Sequence, residues 1–150
     1  MNKTIYTIGY EGAAIGAFLD ALRENGVETV IDVRELPFSR KRDFSKRALA
    51  EQLDAAGVRY VHLKGLGTPK AGREAAKAGE MDAFRAIFAA QIAGAEGQAD
   101  LRAAIGLAQE SRACLLCLER DHKRCHRSIV ADAMEKAAGF TVRHLVAGGD

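Results

Sequence analysis

The sequence predicts an α/β fold: a single domain over residues 1–150 built as a three-layer α/β/α sandwich around a mainly parallel sheet of about five strands. Three observations predict it. Short apolar runs alternate with stripes of helical period along the chain. At 150 residues and 48% hydrophobic composition, one core can form without metal or disulfide staples. No internal repeat or low-complexity linker divides the chain.

The elements follow in order. Thr4 to Ile8 reads as a first strand, and Ile15, Phe18, Leu19 and Leu22 then recur at i, i+3, i+4 and i+7, an amphipathic helix that stops at Asn25-Gly26. Thr29 to Val33 is the second strand. Ser45 is placed to cap a helix carrying Leu49, Leu53 and Ala56 that ends at Gly57, before a third strand from Val58 to Leu63. A flexible stretch from Gly65 to Gly79 leads to two helices expected to cover the sheet. One bears Phe84, Ile87, Phe88 and Ile92, the other Leu101, Ala104, Ile105 and Ala108. Ala113 to Leu118 is the fourth strand. A last helix sets Val130, Ala133, Met134 and Ala137 on one stripe, and Gly139 separates it from a fifth strand, Thr141 to Val146.

Lysine and arginine total 22 against 20 acidic residues, so a net charge of +2 is too mild to announce nucleic acid, and anion binding must come from local placement. The three cysteines, Cys114, Cys117 and Cys125, are odd in number and crowded together, which favours reduced thiols over a secreted disulfide framework. The start, MNKTIYTIGYEG, lacks the apolar stretch of a signal peptide, and no segment approaches a membrane span. A cytoplasmic protein with no membrane partner is expected.

In parallel sheets, sites form where loops leave the carboxyl ends of the strands. That selects Gly9-Tyr10-Glu11-Gly12, the run from Asp32 to Asp43, His62 to Thr68, and Cys117 to Arg127. Asp32 places a carboxylate in an apolar run and needs a partner. It either satisfies a structural pair or belongs to a site where Arg34 and Arg40, beside Ser39, offer forked donors to an anion. Cys117 and Glu119 share one face of the fourth strand and Cys114 points to the other, which makes Cys114 core. Cys125 and His126 lie near a helix N-terminus, where unpaired N–H groups and the helix dipole lower a thiol's pKa. Arg127 in the same turn runs against the dipole, so an acidic partner such as Asp32 or Glu119, or an anionic ligand, must hold it. His62 either joins the site or is a satisfied strand-end histidine.

Cysteines, His122, His126 and Glu119 include zinc-type donors. The spacing Cys-x7-Cys-His is not an established ligand pattern, however, and adjacent Cys125 and His126 should diverge on a helix, so no metal is expected. Gly65-Leu66-Gly67-Thr68-Pro69 is not a Walker sequence. The residues name no cofactor and no oligomeric state.

These fragments resemble a bacterial and archaeal family, the domain of unknown function 488. The resemblance rests on Thr7-Ile8-Gly9-Tyr10-Glu11-Gly12, Asp32-Val33-Arg34 with Pro37, Ser39 and Phe44, and Gly57-Val58 with Tyr60 and His62. It continues through Leu66-Gly67, Leu116-Cys117-Leu118-Glu119, Cys125-His126-Arg127 and His144. Many members carry serine where this chain has Glu11. The resemblance implies a shared α/β fold and a shared pocket, and it implies no reaction. A fainter resemblance, to rhodanese-like sulfurtransferases and related phosphatases, rests on Asp32-Val33-Arg34-Glu35, a strand-ending cysteine, Arg127-Ser128, Gly139-Phe140 and Gly148-Gly149. The loop from Cys117 to Arg127 is longer than those enzymes use, and Glu119 and Asp121 oppose a thiolate there.

The expected function is an enzyme-like domain that recognises an anionic group on a small molecule or nucleic acid. Gly9, Tyr10, Asp32, Arg34, Ser39, Arg40, His62 and Arg127 would line the ligand, with Cys117, Glu119, Cys125 and His126 as the reactive set. The alternatives are sulfur or phosphoryl transfer through Cys117, and a non-catalytic module that binds nucleic acid or a partner through Arg40, Lys41, Arg42, Lys46 and Arg47.

Overall fold

The computed structural model describes residues 3–148, so Gly149 of the rhodanese-like pattern lies outside the described residues. Five strands, β1 (Thr4–Gly9), β2 (Thr29–Asp32), β3 (Arg59–His62), β4 (Ala113–Cys117) and β5 (Thr141–Val146), form one sheet in the order β3-β2-β4-β1-β5. Every pairing is parallel. The helices are α1 (Ile15–Glu24), α2 (Lys46–Ala55), α3 (Lys70–Lys77), α4 (Met81–Ala93), α5 (Ala95–Glu110) and α6 (His126–Ala138).

Period-two alternation along the strands makes two cores. Tyr6, Ile8, Val30, Cys114 and Leu116 pack under Phe18 and Leu22 of α1 and Leu49 and Leu53 of α2. Ile5, Ile31, Leu115 and Cys117 pack on the other face, against α5 and α6. Each such side chain taken from water contributes about 1.5–3 kcal/mol before conformational entropy is counted. Cys114 is core, as its strand parity indicated. The helix α4 reaches this second core chiefly through Phe88, since it packs mainly on α3 and α5 rather than on the sheet.

Two expectations are corrected. The stretch from Gly65 to Gly79 is not simply a flexible loop: a short 3-10 turn, Lys64–Leu66, leads into α3. The buried residues of α3 are only Gly72 and Ala75, too small to leave an apolar stripe in the sequence. The bare Cα of Gly72 instead lets α3 approach Ile87 of α4. Ser45 does occupy the N-cap position of α2, yet its hydroxyl donates to the Ser39 carbonyl at 3.0 Å instead of capping the helix. The end of α6 at Gly139, with φ of +75°, follows the sequence reading.

Connections from β1 and β4 leave toward opposite faces, so the boundary between these neighbouring strands is where the sheet changes winding direction and where a crevice is expected. The two loops are laced together there. Tyr10 N–H donates to the Cys117 carbonyl at 3.2 Å and Glu11 N–H to that of Leu118 at 2.8 Å. Gly9 permits the approach, because a Cβ on it would stand 1.7 Å from the Glu119 carbonyl oxygen. Gly9→Ala is therefore expected to lower stability in urea unfolding by about 1–3 kcal/mol. Gly106→Ala, in open space within α5, should raise it by roughly 0.5–1 kcal/mol.

Candidate functional site

At the carboxyl edge of the sheet, β4 ends on Cys117 and α6 begins after Cys125, and the structure joins these two in a disulfide. Reduced thiols were the expectation from number and spacing, and for this pair the structure corrects it. Cys114 remains free and buried. The cause is local backbone shape. A 3-10 turn at His122–Arg124 folds the loop back, and Cys125 has extended dihedrals, φ −127° and ψ 141°, so its sulfur turns toward the strand end. The same conformation removes the divergence anticipated for neighbouring Cys125 and His126. The sulfurs of Cys117 and Cys125 and a ring nitrogen of His126 lie within 4.8 Å of one another.

The His126 ring is held by two contacts. Its Nε2–H donates to the Val33 carbonyl at 2.7 Å, and the Phe88 ring stands edge-on at 5.2 Å. Burial lowers its pKa from 6.5 to about 4. His62 does the equivalent one residue along, donating Nε2–H to the Arg34 carbonyl at 2.7 Å. His62 is thus a satisfied strand-end histidine, and consecutive carbonyls beyond β2 are each taken by an imidazole.

Arg127 is completely buried, and among the described residues no carboxylate lies within ion-pairing distance of it. Burial lowers its pKa. Its partners are neutral groups: the Thr7 hydroxyl accepts from Nε at 3.1 Å, and the Glu119 and Arg120 carbonyls accept from the Nη atoms. Nη1 also points at Cys117 Sγ, 3.5 Å away. Of the partners considered from sequence, Asp32 is engaged elsewhere and Glu119 contributes its carbonyl, not its carboxylate. The Glu119 carboxyl, pushed up by burial, lies 3.7 Å from the Cys117 sulfur.

Asp32 and Arg34 form the second polar cluster. The carboxylate accepts from Arg34 Nε at 2.9 Å and Nη2 at 2.7 Å, from the Arg34 N–H, and from the Tyr60 hydroxyl at 2.6 Å. Arg34 Nη1 donates to the Phe44 carbonyl at 2.7 Å, and the guanidinium lies over Tyr10, which stacks on Phe44. Burial opposes the charge of Arg34, but the Asp32 carboxylate reverses the net shift and raises its pKa. Burial, then the Asp32 charge, raises that of Tyr60. This fork is directed at protein acceptors, as in a structural ion pair.

A cavity of about 1000 Å³ opens above these clusters. Of the residues singled out from sequence, Tyr10, Arg34, Cys117, Glu119 and His126 reach its wall, whereas Gly9, Asp32, Ser39, Arg40, His62, Cys125 and Arg127 do not line it. Ser39 serves the turn before α2, accepting from Lys41 N–H, and Arg40 is exposed.

Over residues 14–134 the sequence matches the family described as "Domain of unknown function DUF488". The chain belongs to this DUF488 family. No curated protein and no solved structure matches it. None of the helices among the described residues of this DUF488 domain is long and apolar enough to cross a membrane.

Sequence reasoning missed Glu35 and Arg73, which pair across the cavity wall, and it missed the apolar rim. Nothing local marks a pair 38 positions apart. Thr7 carried a readable signal, a hydroxyl inside an apolar strand. It accepts from Arg127 Nε and shares a second hydrogen bond with His144 Nδ1, 2.6 Å away.

Two predictions follow from this network. Arg127→Ala should cost about 3–5 kcal/mol in chemical denaturation, because it opens a cavity and strands two carbonyls. Unchanged stability with lost ligand binding would reassign Arg127 to an anion. His144 is the second case: burial, then His122 and Arg127, lower its pKa from 6.5 to about 4. As pH falls below 6.5 the unfolded chain protonates first, so the contribution of His144 is complete above about 6.5 and is lost toward pH 4. His144→Gln should flatten the stability profile in that window, and the ring should titrate by NMR near 4 rather than near 6.5.

Proposed function

We propose that this DUF488 domain is an enzyme-like receptor for a nucleoside phosphate or a nucleic-acid-derived equivalent. The observation that carries the reading is the composition of one cavity wall. Leu36, Phe38, Leu118 and Val146, the large apolar residues exposed among the described residues, all line it together with Lys77, Arg120 and Arg124. A planar apolar group and an anion on one molecule match that pairing, because bases stack on aromatic faces and phosphates attract clustered cations.

This assigns the roles differently from the sequence. Arg34 and Arg127 spend most of their donors on the protein and act as scaffold, and the cationic surface falls to Lys77 and Arg124 together with Arg120, whose Nη1 donates to the Ala147 carbonyl. Glu119, with its raised pKa, is placed as acid or base, and Cys117 supplies a nucleophile once its disulfide is reduced. A sulfur-transfer reaction through Cys117 alone is less favoured, since the loop to Arg127 is spent on wrapping the guanidinium rather than cradling a persulfide.

Calorimetric titration with adenosine monophosphate, adenosine and inorganic phosphate tests the proposal. The nucleotide should bind more tightly than either fragment and lose affinity with added salt. Phe38→Ala should cost it about 1–3 kcal/mol while leaving phosphate binding unchanged. Equal binding of nucleotide and nucleoside, or binding of neither, would refute it. Salt-sensitive binding of single-stranded DNA abolished by changing Arg40, Lys41 and Arg42 would favour the basic-strip module instead.

A further inference from the structure

We propose that, when its disulfide is reduced, the domain holds a zinc-type divalent cation between Cys117 Sγ, Cys125 Sγ and His126 Nδ1, with a fourth position facing the cavity.

Donor proximity and donor chemistry carry it first. The three ligand atoms lie within 4.8 Å of one another, and all three residues are buried. Two thiolates and an imidazole are the donors a zinc-type ion prefers, and three protein ligands leave one position for water or substrate. The ring of His126 is already oriented for the task. Its Nε2–H is committed to the Val33 carbonyl, which leaves the Nδ1 lone pair on the side of the sulfurs, 3.9 Å from Cys125 Sγ. Metal-binding histidines characteristically donate their other N–H to a carbonyl or carboxylate in this way.

Backbone spacing points the same way. The Cα atoms of Cys117 and Cys125 stand 7.5 Å apart, beyond the roughly 4.4–6.8 Å usual for directly bridged cysteines. Replacing one sulfur–sulfur bond with two metal–sulfur bonds of about 2.3 Å lengthens the bridge and suits the wider span. The surroundings also suit two thiolates. Cys125 Sγ accepts the Arg127 N–H at the start of α6, and Arg127 Nη1 faces Cys117 Sγ. Cys117 and His126 both reach the cavity wall beside Glu119, so the open coordination position faces the space where a ligand would enter.

The chemistry is balanced in two steps. A water-soluble phosphine takes up oxygen from water to become its oxide and leaves the disulfide as two thiols. The cation then displaces both thiol protons. Zinc chloride is the probe, applied to reduced protein under argon and followed by desalting and metal analysis. The expected result is one zinc retained per chain, two protons released per zinc, and two thiols withdrawn from alkylation. Cobalt(II) in its place should show thiolate-to-metal charge transfer and the visible bands of a four-coordinate ion.

Cys117→Ser and Cys125→Ser should each abolish stoichiometric retention, and so should His126→Gln, while Cys114→Ala, on the opposite face, retains the metal. Circular dichroism checks each fold, and the two serine variants answer the question if His126→Gln does not fold. Folded, reduced wild type that retains no zinc would overturn the proposal. So would retention that survives in Cys117→Ser or that is equal in the oxidised protein. Metal analysis reads this site whether or not the cavity takes a nucleotide, so the two proposals fail separately.

Discussion

The guanidinium of Arg127 sits at the start of α6 with no carboxylate at ion-pairing distance among the described residues, wholly removed from water. Burying a cation costs several kcal/mol unless its donors are met, so the chain around it must bring acceptors inward. It does so by wrapping the loop after β4 until the Glu119 and Arg120 carbonyls face the guanidinium, while β1 contributes the Thr7 hydroxyl. The shape of that loop then decides much else. It carries Cys117 toward Cys125, aims Leu118 and Arg120 into the cavity, and sets the Glu119 carbonyl where only a glycine at position 9 can pass.

A second polar cluster, Asp32 with Arg34, is built on the opposite economy: one carboxylate and one guanidinium neutralise each other, and their remaining groups are taken by Tyr60, Tyr10 and the Phe44 carbonyl. The two clusters meet at the backbone just beyond β2, where His126 from α6 and His62 from β3 donate to successive carbonyls. Breaking either cluster leaves a buried charge or carbonyl unmet, so both hold the frame around the cavity.

What faces the cavity is of a different kind: Cys117, the Glu119 carboxyl with its raised pKa beside it, and exposed apolar side chains together with cations. Fixed polar scaffolding thus lies beneath a wall built largely by loops at the carboxyl edge of the parallel sheet, where such sheets form crevices.

Five strands, their parallel pairing by way of crossover helices, α1, and the stop of α6 at Gly139 were legible in the sequence, because alternation, helical spacing and terminal glycines are local properties of the chain. The chemically dense positions were legible too: an acid in an apolar strand, and a cysteine and an arginine at a helix start. Only the tertiary structure decided what they do. Cys117 meets Cys125 because a 3-10 turn and an extended residue reverse the loop, α3 approaches α4 closely at Gly72, and Arg127 is satisfied by carbonyls that no sequence pattern marks. Periodicity records how each segment folds on its own, whereas charge partners and cavity walls are set by which strand ends the crossovers place side by side.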